Sequence, residues 1–350
     1  MSMEEWKEYR FTDVASLTNG RAYLQPELQS VGKYKIVRVG NLSGGDKWFY
    51  SDMELPQEKY CNKGDLLYAW ACSFGPYIWE GDKTIYHYHI WKVDVNSAVA
   101  DKMFLYYYLK YYTPKWMGFT NGSVMMHITK GSLEKQIVSL PSLPTQQKVA
   151  NILSSLDDKI EVNRRINEQL EELAQALFKS WFVDFEPFKD GEFVESELGM
   201  IPEGWKVGTL GEVCNKITDG SHYSPKDNPK SNIPMLSVKD MQKYSFDYSK
   251  AKHIDEEEFA KMKSNDCVPL VNDILVAKDG SYLKEIFICK NEIKQAILSS
   301  IAIFRANKSI IYPIVLLCVL KSPRTLKNVS ENYVSGSALP RIVLKDFNEV

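Results

Sequence analysis

The chain has 350 residues, of which 44% are hydrophobic and 25% are charged, and its formal net charge is −2. This length allows two or three domains with cores of their own, and the composition excludes a largely disordered protein. The N-terminus lacks the basic and apolar regions of a signal peptide, and the longest apolar run, residues 310–320, is too short to cross a bilayer. We therefore expect a cytoplasmic protein without a membrane segment.

The charge is unevenly distributed. Basic residues exceed acidic residues by 1 in residues 1–143 and by 3 in residues 201–350, whereas acidic residues are in excess by 6 in residues 144–200. Such small net charges would not bring a chain to DNA unaided. They favour a polyanion as partner of the two flanking segments and a protein as partner of the middle one.

The six cysteines contain no C-x-x-C pair. This spacing indicates neither a zinc knuckle nor a disulfide framework. We expect buried or half-buried thiols.

The motif that opens the chain returns in its second half. Trp6 and Trp205 are 199 residues apart, and so are Val14 and Val213. The separation grows to 208 between Asp65 and Asp273, as loop insertions between fixed elements would produce. A repeat of such long period predicts two similar domains rather than a solenoid.

Short β-branched and aromatic runs bounded by Gly, Asn or Lys predict a small mixed sheet in each module. The predicted strands are 35–42, 65–71 and 85–93 in the first module and 235–238, 273–277 and 300–304 in the second. Buried helices are predicted at 102–112 and 312–321, and each is followed by a polar Gly-Ser turn. The predicted fold class is α+β, with two similar modules in one chain.

Two clusters in the first module have alternative interpretations. His87 and His89, with His127, could bind a metal, but their alternation with tyrosines in a probable strand favours a solvated strand face. The tyrosines at 106–108 and 111–112 could stack on bases, but their helical spacing favours a role in the core.

A long helix is predicted between the modules, from Pro144 to about Phe182. Apolar residues recur along it with the heptad spacing of a coiled coil, interrupted by a polar Asn163, which is a device that fixes register. At 1.5 Å per residue this helix is about 50 Å long, comparable with about 15 base pairs. A helix packed on its own domain is the alternative. The residues predicted to contact a partner are Val149, Ile152, Leu156, Ile160, Asn163, Ile166, Leu170, Leu173, Leu177 and Trp181.

Several motifs resemble a known family. Residues 146–153, 156–160, 167–171 and 177–185 are similar to the central conserved region of the DNA specificity subunits of Type I restriction-modification systems. Residues 193–205 and Gly220-Ser221-His222 resemble the entry to the second target recognition domain of that family.

The resemblance implies two target recognition domains, at 1–143 and 201–350, separated by a central helical spacer and linker at 144–200. Each domain would read one half of a bipartite, gapped site in double-stranded DNA. The spacer would set the gap and dock methyltransferase subunits, and restriction (translocase) subunits would join through the complex. Catalysis would belong to those partners, which would also bind S-adenosylmethionine, ATP and Mg.

The second module, aligned on the first, stops at Val350, opposite Gln136. The distal conserved helix of the family would follow there, so we expect its place to be taken by a second copy of this chain or by a separate fragment. A truncated or silent specificity cassette is the alternative.

Polar and basic residues at strand ends and in turns are the best candidates for contacts with DNA, because such side chains reach phosphates and base edges. The Gly-Ser turns are candidates because they recur in both modules. The predicted contacts are Arg38, Asn41, Lys83, Asn121, Gly122 and Ser123 in the first module and Ser221, His222, Tyr223, Lys239, Lys278, Ser281, Ser337 and Arg341 in the second.

The sequence contains no phosphate-binding loop, no G-x-G-x-x-G and no Asn-Pro-Pro-aromatic motif. We therefore predict no catalytic residue, no metal site and no bound cofactor. Asp157-Asp158-Lys159 contains the D-x-K of some nuclease sites, but its position on a helix favours surface or a partner contact. Two functions stay open beside DNA recognition, namely a coiled-coil interaction protein and a nuclease with an unrecognised site.

Overall fold

The computed structural model describes residues 6–117, 128–279, 283–335 and 341–350, and for Ser335 and Arg341 it describes the backbone alone. The chain divides into two compact units, residues 1–165 and 166–350. Each unit has its own hydrophobic clusters. Within the described residues, no helix combines the length and apolar character needed to cross a bilayer.

The first unit contains ten described strands and four short or medium helices before the long helix begins. In chain order these elements are β1 (Lys7–Arg10), α1 (Phe11–Val14), β2 (Ala15–Asn19), β3 (Tyr34–Val37), α2 (Val39–Leu42), β4 (Phe49–Ser51), β5 (Tyr60–Cys61), β6 (Leu66–Ala69), β7 (Gly75–Ile78), β8 (Thr84–Tyr86), β9 (Ile90–Val95), α3 (Lys102–Met117), α4 (Lys130–Glu134), β10 (Ile137–Leu140) and α5 (Leu143–Phe182).

Two four-stranded sheets make up most of the first unit. One has the antiparallel order β2-β9-β6-β7, and the other has the order β4-β3-β8-β5 with β3 and β8 parallel. All four residues of β6 are buried, as expected for a strand covered on both faces. Strands β1 and β10 form a separate antiparallel pair.

The second unit contains the rest of α5 and the elements that follow it. They are β11 (Phe193–Ser196), β12 (Gly199–Pro202), α6 (Leu210–Val213), β13 (Cys214–Asp219), β14 (Ile233–Leu236), β15 (Lys252–Ile254), α7 (Glu256–Ser264), β16 (Ile274–Ala277), β17 (Ile286–Ile288), β18 (Ala296–Ile297), β19 (Ile301–Ala306), α8 (Pro313–Lys321), α9 (Pro323–Asn332), β20 (Val334–Ser335) and β21 (Arg341–Ile342).

The sheets of the second unit correspond to those of the first, except that the mixed sheet has no counterpart of β5. The antiparallel sheet has the order β13-β19-β16-β17, and the mixed sheet has the order β15-β14-β18 with β14 and β18 parallel. Each strand of these two sheets takes the same place as its counterpart in the first unit. The predicted α+β fold with a duplicated module is confirmed.

One glycine in each unit allows two backbone segments to approach closely. Gly20 follows β2 and Gly220 follows β13, and a Cβ atom at either position would overlap a carbonyl oxygen, that of Tyr86 or Ile297. The next residue makes a parallel bridge in both units, with Ser221 donating its amide hydrogen to Ile297 O at 2.8 Å. This shared contact ties the mixed sheet to the antiparallel one.

Most predicted elements occur, but two of the predicted strands give way to a helical turn. The strand predicted at 35–42 ends at Val37 and the one predicted at 235–238 ends at Leu236, because a helical turn follows each. The side chain of Asn41 accepts a hydrogen bond from the Arg38 amide, and that of Asp240 does the same for Ser237. These bonds offer the backbone an alternative to the sheet.

A turn at His87–His89 splits the strand predicted at 85–93 into β8 and β9. The predicted buried helices correspond to α3 and α8, while α9 was not predicted. The expectation for the cysteines holds for five of them, but it is wrong for Cys72, which is exposed. Among the tyrosines of α3, Tyr108 belongs to the core as predicted, whereas Tyr111 is exposed.

Candidate DNA interface and connecting helix

The turn after β3 carries two of the predicted DNA contacts. Asn41 uses its side chain to shape this turn, since its Nδ2 donates to Gly45 O at 3.2 Å and Lys47 O at 3.0 Å. Arg38 is exposed, and its guanidinium lies 5.2 Å from the centre of the Phe49 ring. Arg38 is therefore presented to solvent by a turn that Asn41 holds.

Further cations lie over aromatic rings beside this turn. Lys35 Nζ lies 5.2 Å from the Trp48 ring centre, and Lys47 Nζ lies 5.4 Å from that of Phe49. We call Lys35, Arg38, Lys47, Trp48 and Phe49 the basic aromatic surface. Aromatic faces attract and orient cations, so this surface suits the phosphates of a polyanion.

Sequence reasoning missed Lys35 and Lys47 in this surface. The signal was available, because Lys47-Trp48-Phe49 places a cation beside two rings. The predicted contact Lys83 is also exposed, and its Nζ lies 4.3 Å from the Tyr60 ring centre.

The predicted contacts of the second unit have different surroundings. Tyr223, His222 and Lys239 are exposed, and His222 Nε2 lies 3.3 Å from Asp219 Oδ1. Ser221 is buried, and its hydroxyl donates to Tyr223 O at 2.8 Å. The serine therefore shapes the turn that carries His222 and Tyr223.

Lys278 is buried, although it was predicted at the DNA surface. Its Nζ lies 2.7 Å from Asp219 Oδ2, and Asp219 is buried as well. A buried cation requires a partner because of its desolvation cost. Because Lys278 lies at a strand end beside a turn, the sequence predicted an accessible side chain. This prediction is wrong, since the side chain points inward to the Asp219 carboxylate.

The side chains of the remaining predicted contacts are not among those that the structure describes. The residues that lie outside the described ones are Asn121, Gly122, Ser123, Ser281 and Ser337. For Arg341 the backbone pairs with Ser335 between β20 and β21, and its side chain is not among those described.

An apolar stripe runs along α5 and is exposed to solvent. Its apolar members range from 37% exposed at Val149 to 65% exposed at Ile160, and Asn163 is exposed too. All ten residues predicted to contact a partner are thus accessible in this chain. A stripe of this length is unusual on a surface without a binding role.

The first turns of α5 are fixed to the first unit by Gln146. Its side chain, 1% exposed, accepts a hydrogen bond from the Asp101 amide at 2.9 Å. It also donates to Val99 O at 3.1 Å and to Pro141 O at 2.9 Å. Farther along, the Tyr107 hydroxyl donates to Asp157 Oδ2 at 2.9 Å, so the carboxylate of the D-x-K sequence has a structural partner.

Within the second unit, Glu171 binds α5 to the rest of the unit. Its carboxylate contacts the ammonium groups of Lys321 and Lys243, the latter at 3.1 Å, and accepts a hydrogen bond from the Tyr244 hydroxyl at 3.0 Å. Burial by itself would raise the pKa of Glu171, but the bonds from Lys321 and Lys243 outweigh it, and the pKa lies below its usual value. Sequence reasoning missed both Glu171 and Gln146, because neither role has a local pattern.

The histidines at 87 and 89 lie in a turn, not in the strand that the sequence predicted. Burial lowers the pKa of His87 to about 4, with smaller effects of His89 and Arg38 in the same direction. In the described part of the chain, no three His, Cys, Asp or Glu residues are arranged to hold a metal ion. His127 lies outside that part.

The first half of the chain is similar to a known protein family. Residues 3–172 match the family described as the Type I restriction modification DNA specificity domain. Nearly half of the chain is therefore similar to the Type I restriction-modification specificity family. The matched domain is described as one of DNA specificity.

Two relatives of the specificity family illustrate the similarity. The MjaIX specificity subunit of Methanocaldococcus jannaschii is 40% identical over 146 residues, which are 40% of this chain and 34% of the relative. The HindI specificity subunit of Haemophilus influenzae is 29% identical over 233 residues, 62% of this chain and 49% of the relative. The chain thus spans half or less of these relatives.

A crystal structure of a Type I specificity subunit from M. genitalium has a similar fold. It superposes with a TM-score of 0.53 at 16% identity, and the match covers 100% of this chain and 88% of the other. At this identity the match concerns the fold alone.

Proposed function

We propose that this specificity chain is the sequence-reading, non-catalytic subunit of a Type I restriction-modification complex. Each module reads one half of a bipartite, gapped site in double-stranded DNA, and α5 sets the gap between the halves. Methyltransferase subunits dock on the helical region, and restriction subunits join through the complex. S-adenosylmethionine, ATP and Mg bind to those partners, and the complex acts on DNA in the cytoplasm.

The observation that carries this proposal is the repetition of one sheet order in two modules that flank a 40-residue helix in sequence. Two modules with the same fold would each bind one half of a two-part site. The basic aromatic surface of the first module supports contact with phosphates, since cations that rings hold in place are ordered before DNA binds.

The exposed apolar stripe supports a role for α5 in assembly. A heptad stripe with one polar position is typical of a helix that pairs with another helix. We propose that α5 pairs with a second helix, supplied by another copy of this chain or by a separate fragment, and that the pair forms the docking region for methyltransferase subunits.

The proposal is tested by selection of bound duplexes from a random library, with the chain co-expressed with the methyltransferase subunits of its own system. We expect recovery of two short conserved sequences separated by a gap of fixed length. Equal recovery of all sequences would overturn the specificity role, and magnesium-dependent cleavage by the isolated chain would favour a nuclease instead.

Salt titrations of the selected duplex test the basic aromatic surface. The substitutions Lys35→Ala and Lys47→Ala should each weaken binding and reduce the slope of log K against log salt by about 0.9 for each phosphate that is no longer neutralised. Lys135→Ala, at an exposed lysine outside this surface, is the matched control. Unchanged slopes in the first two variants would argue against binding of phosphate by this surface.

Sedimentation tests the apolar stripe. The double substitution Leu170→Glu and Leu173→Glu should abolish self-association or methyltransferase binding with little loss of stability, because both side chains are more than half exposed. Gln169→Glu adds a charge at an exposed position next to the stripe and serves as control. Tight self-association without any DNA dependence would favour a coiled-coil interaction protein.

A further inference from the structure

The first unit contains a cavity of about 610 Å³ beside the turn between β8 and β9. Aromatic side chains dominate its lining, and a lysine adds the charged part. The residues used below are Trp70, Cys72, Phe74, His89, Trp91 and Lys130. Sites for small ligands have volumes of about 300–1,000 Å³ and are mostly apolar with a few polar groups. This cavity is of that size and character.

Three nearly parallel rings lead to this cavity. The ring centres of Tyr68 and Trp91 are 5.8 Å apart with an angle of 15° between the planes, and those of Trp91 and Trp70 are 5.8 Å apart at 20°. Trp70 Nε1 donates to Tyr88 O at 2.8 Å, which fixes the orientation of the indole. An indole held in this way is a stacking surface that loses little freedom when a planar ligand binds.

Trp91, one of the lining residues, also has a buried hydrogen-bond donor. Trp91 is 2% exposed, and its Nε1 is buried without a hydrogen-bond partner among the residues that the structure describes. An unpaired buried N–H is costly and rare in folded proteins. A ligand that brings an acceptor, such as a ring nitrogen or a carbonyl oxygen, would remove that cost.

The nearby histidine adds neutral polar atoms. Burial lowers the pKa of His89, with a smaller effect of Arg38, so the imidazole is neutral near pH 7 and has one donor and one acceptor nitrogen. Stacking rings, a free N–H and a neutral imidazole are complementary to a flat, uncharged heterocycle with polar edges.

The second unit has other residues at the positions equivalent to Trp70 and Trp91. By strand register, Lys278 takes the position of Trp70 and Ala302 takes that of Trp91. There, the buried pair of Lys278 and Asp219 replaces the stacked indoles. The aromatic cavity is therefore not required by the shared fold, and a function specific to the first module accounts for it.

We propose that this cavity takes up a single nucleobase, stacked on Trp70 and hydrogen-bonded by Trp91 Nε1. The inference rests on the proposed function for its source, a base turned out of the duplex that the first module reads. A free nucleoside offers the same chemistry. Enzymes that turn bases out of a duplex read them in this way, by stacking and by hydrogen bonds to the ring edge.

The first experiment uses free deoxynucleosides and the full chain. Cys72 is exposed and lines the cavity, whereas the five other cysteines are buried or half-buried. We expect each bound nucleoside, titrated into the millimolar range, to slow alkylation of Cys72 and to quench tryptophan fluorescence. Deoxyribose, which lacks the ring, should do neither.

Two variants distinguish stacking on the Trp70 ring from hydrogen bonding by Trp91 Nε1. Trp70→Ala should weaken nucleoside binding about tenfold or more, since stacking on an aromatic side chain contributes that much. Trp91→Phe keeps a ring and removes the donor, so we expect a loss of about threefold to tenfold. Trp79→Phe is the matched control, because Trp79 lies outside the cavity lining and its Nε1 donates to Asp82 O.

The second experiment uses the selected duplex with single mismatches at each position of the half-site. A mismatch lowers the cost of turning a base out, whereas a mismatch at a contacted pair normally weakens binding. We expect one position at which the mismatch tightens binding several-fold, and we expect Trp70→Ala to remove that gain. Nucleoside binding without such a position would support a free nucleoside as the source.

The inference is overturned if no nucleoside protects Cys72 and no mismatch tightens binding while the duplex is still bound specifically. In that case the proposed function stands and the cavity has another role. Loss of all sequence specificity would overturn the proposed function, and the nucleoside titration would still decide the nature of the cavity.

Discussion

Lys278 Nζ lies 2.7 Å from Asp219 Oδ2 inside the second unit, and both side chains are buried. Removal of one partner leaves an unpaired buried charge, which costs about 3–5 kcal/mol. We therefore expect Asp219→Leu to lower the free energy of unfolding by that amount in urea titrations. The double substitution Asp219→Leu and Lys278→Met should lose much less, because it leaves no unpaired charge. Equal losses in the single and double variants would contradict a coupled pair.

Glu171→Gln should destabilise the second unit in a pH-dependent way. The pKa of Glu171 lies below its usual value, so its contribution is present above the pKa of the unfolded chain and is lost as the pH falls through the folded pKa. Near pH 7 we expect a loss of about 1–2 kcal/mol, since the bonds from Lys321 and Lys243 involve charges. In thermal unfolding the difference from the parent chain should shrink as the pH falls below the usual pKa of a glutamate. A difference independent of pH would show that the charge of Glu171 is not responsible.

Gln146 and Gln147 are neighbours with different environments and form a matched pair. Gln146→Ala removes three hydrogen bonds inside the first unit and leaves buried backbone groups unpaired, so we expect a loss of about 2–3 kcal/mol. Gln147→Ala, at an exposed site, should change stability by less than about 0.5 kcal/mol. Denaturant midpoints of the two variants would measure the contrast, and similar midpoints would rule out the proposed anchoring of α5.

His87 should make the stability of the first unit depend on pH. Burial lowers its pKa to about 4, whereas the unfolded side chain titrates near 6.5. As the pH falls through this interval the unfolded chain binds the proton first, so stability decreases. His87→Gln should flatten that part of the profile by about 1–3 kcal/mol. A parallel profile for His87→Gln would refute this assignment.

The sequence predicted most of the architecture because the repeat marked equivalent strands and because long periodic segments are unambiguous. The long helix at Leu143–Phe182 and the buried strands at Leu66–Ala69 and Ile274–Ala277 follow from such patterns. The strand ends were wrong where side chains such as Asn41 bond to the local backbone. Competition between a turn and a sheet is decided by a few hydrogen bonds, which periodicity does not register.

The candidate site was predicted less well than the fold. Whether a lysine at a strand end faces solvent depends on partners distant in sequence, and Lys278 finds Asp219 across 59 residues. The roles of Glu171 and Gln146 also depend on long-range contacts. By contrast, the stripe on α5 was predictable because its residues belong to one helix, whose periodicity places them on one face.

The tight backbone crossings at Gly20 and Gly220 constrain how the two halves of the gene can diverge. Codons for surface loops can change freely, but any substitution at these two codons inserts a methyl group or more against a carbonyl oxygen. Duplicated copies that accumulate mutations independently should therefore still share this pair of codons. Loops can then be exchanged between copies while the backbone crossings at Gly20 and Gly220 stay the same.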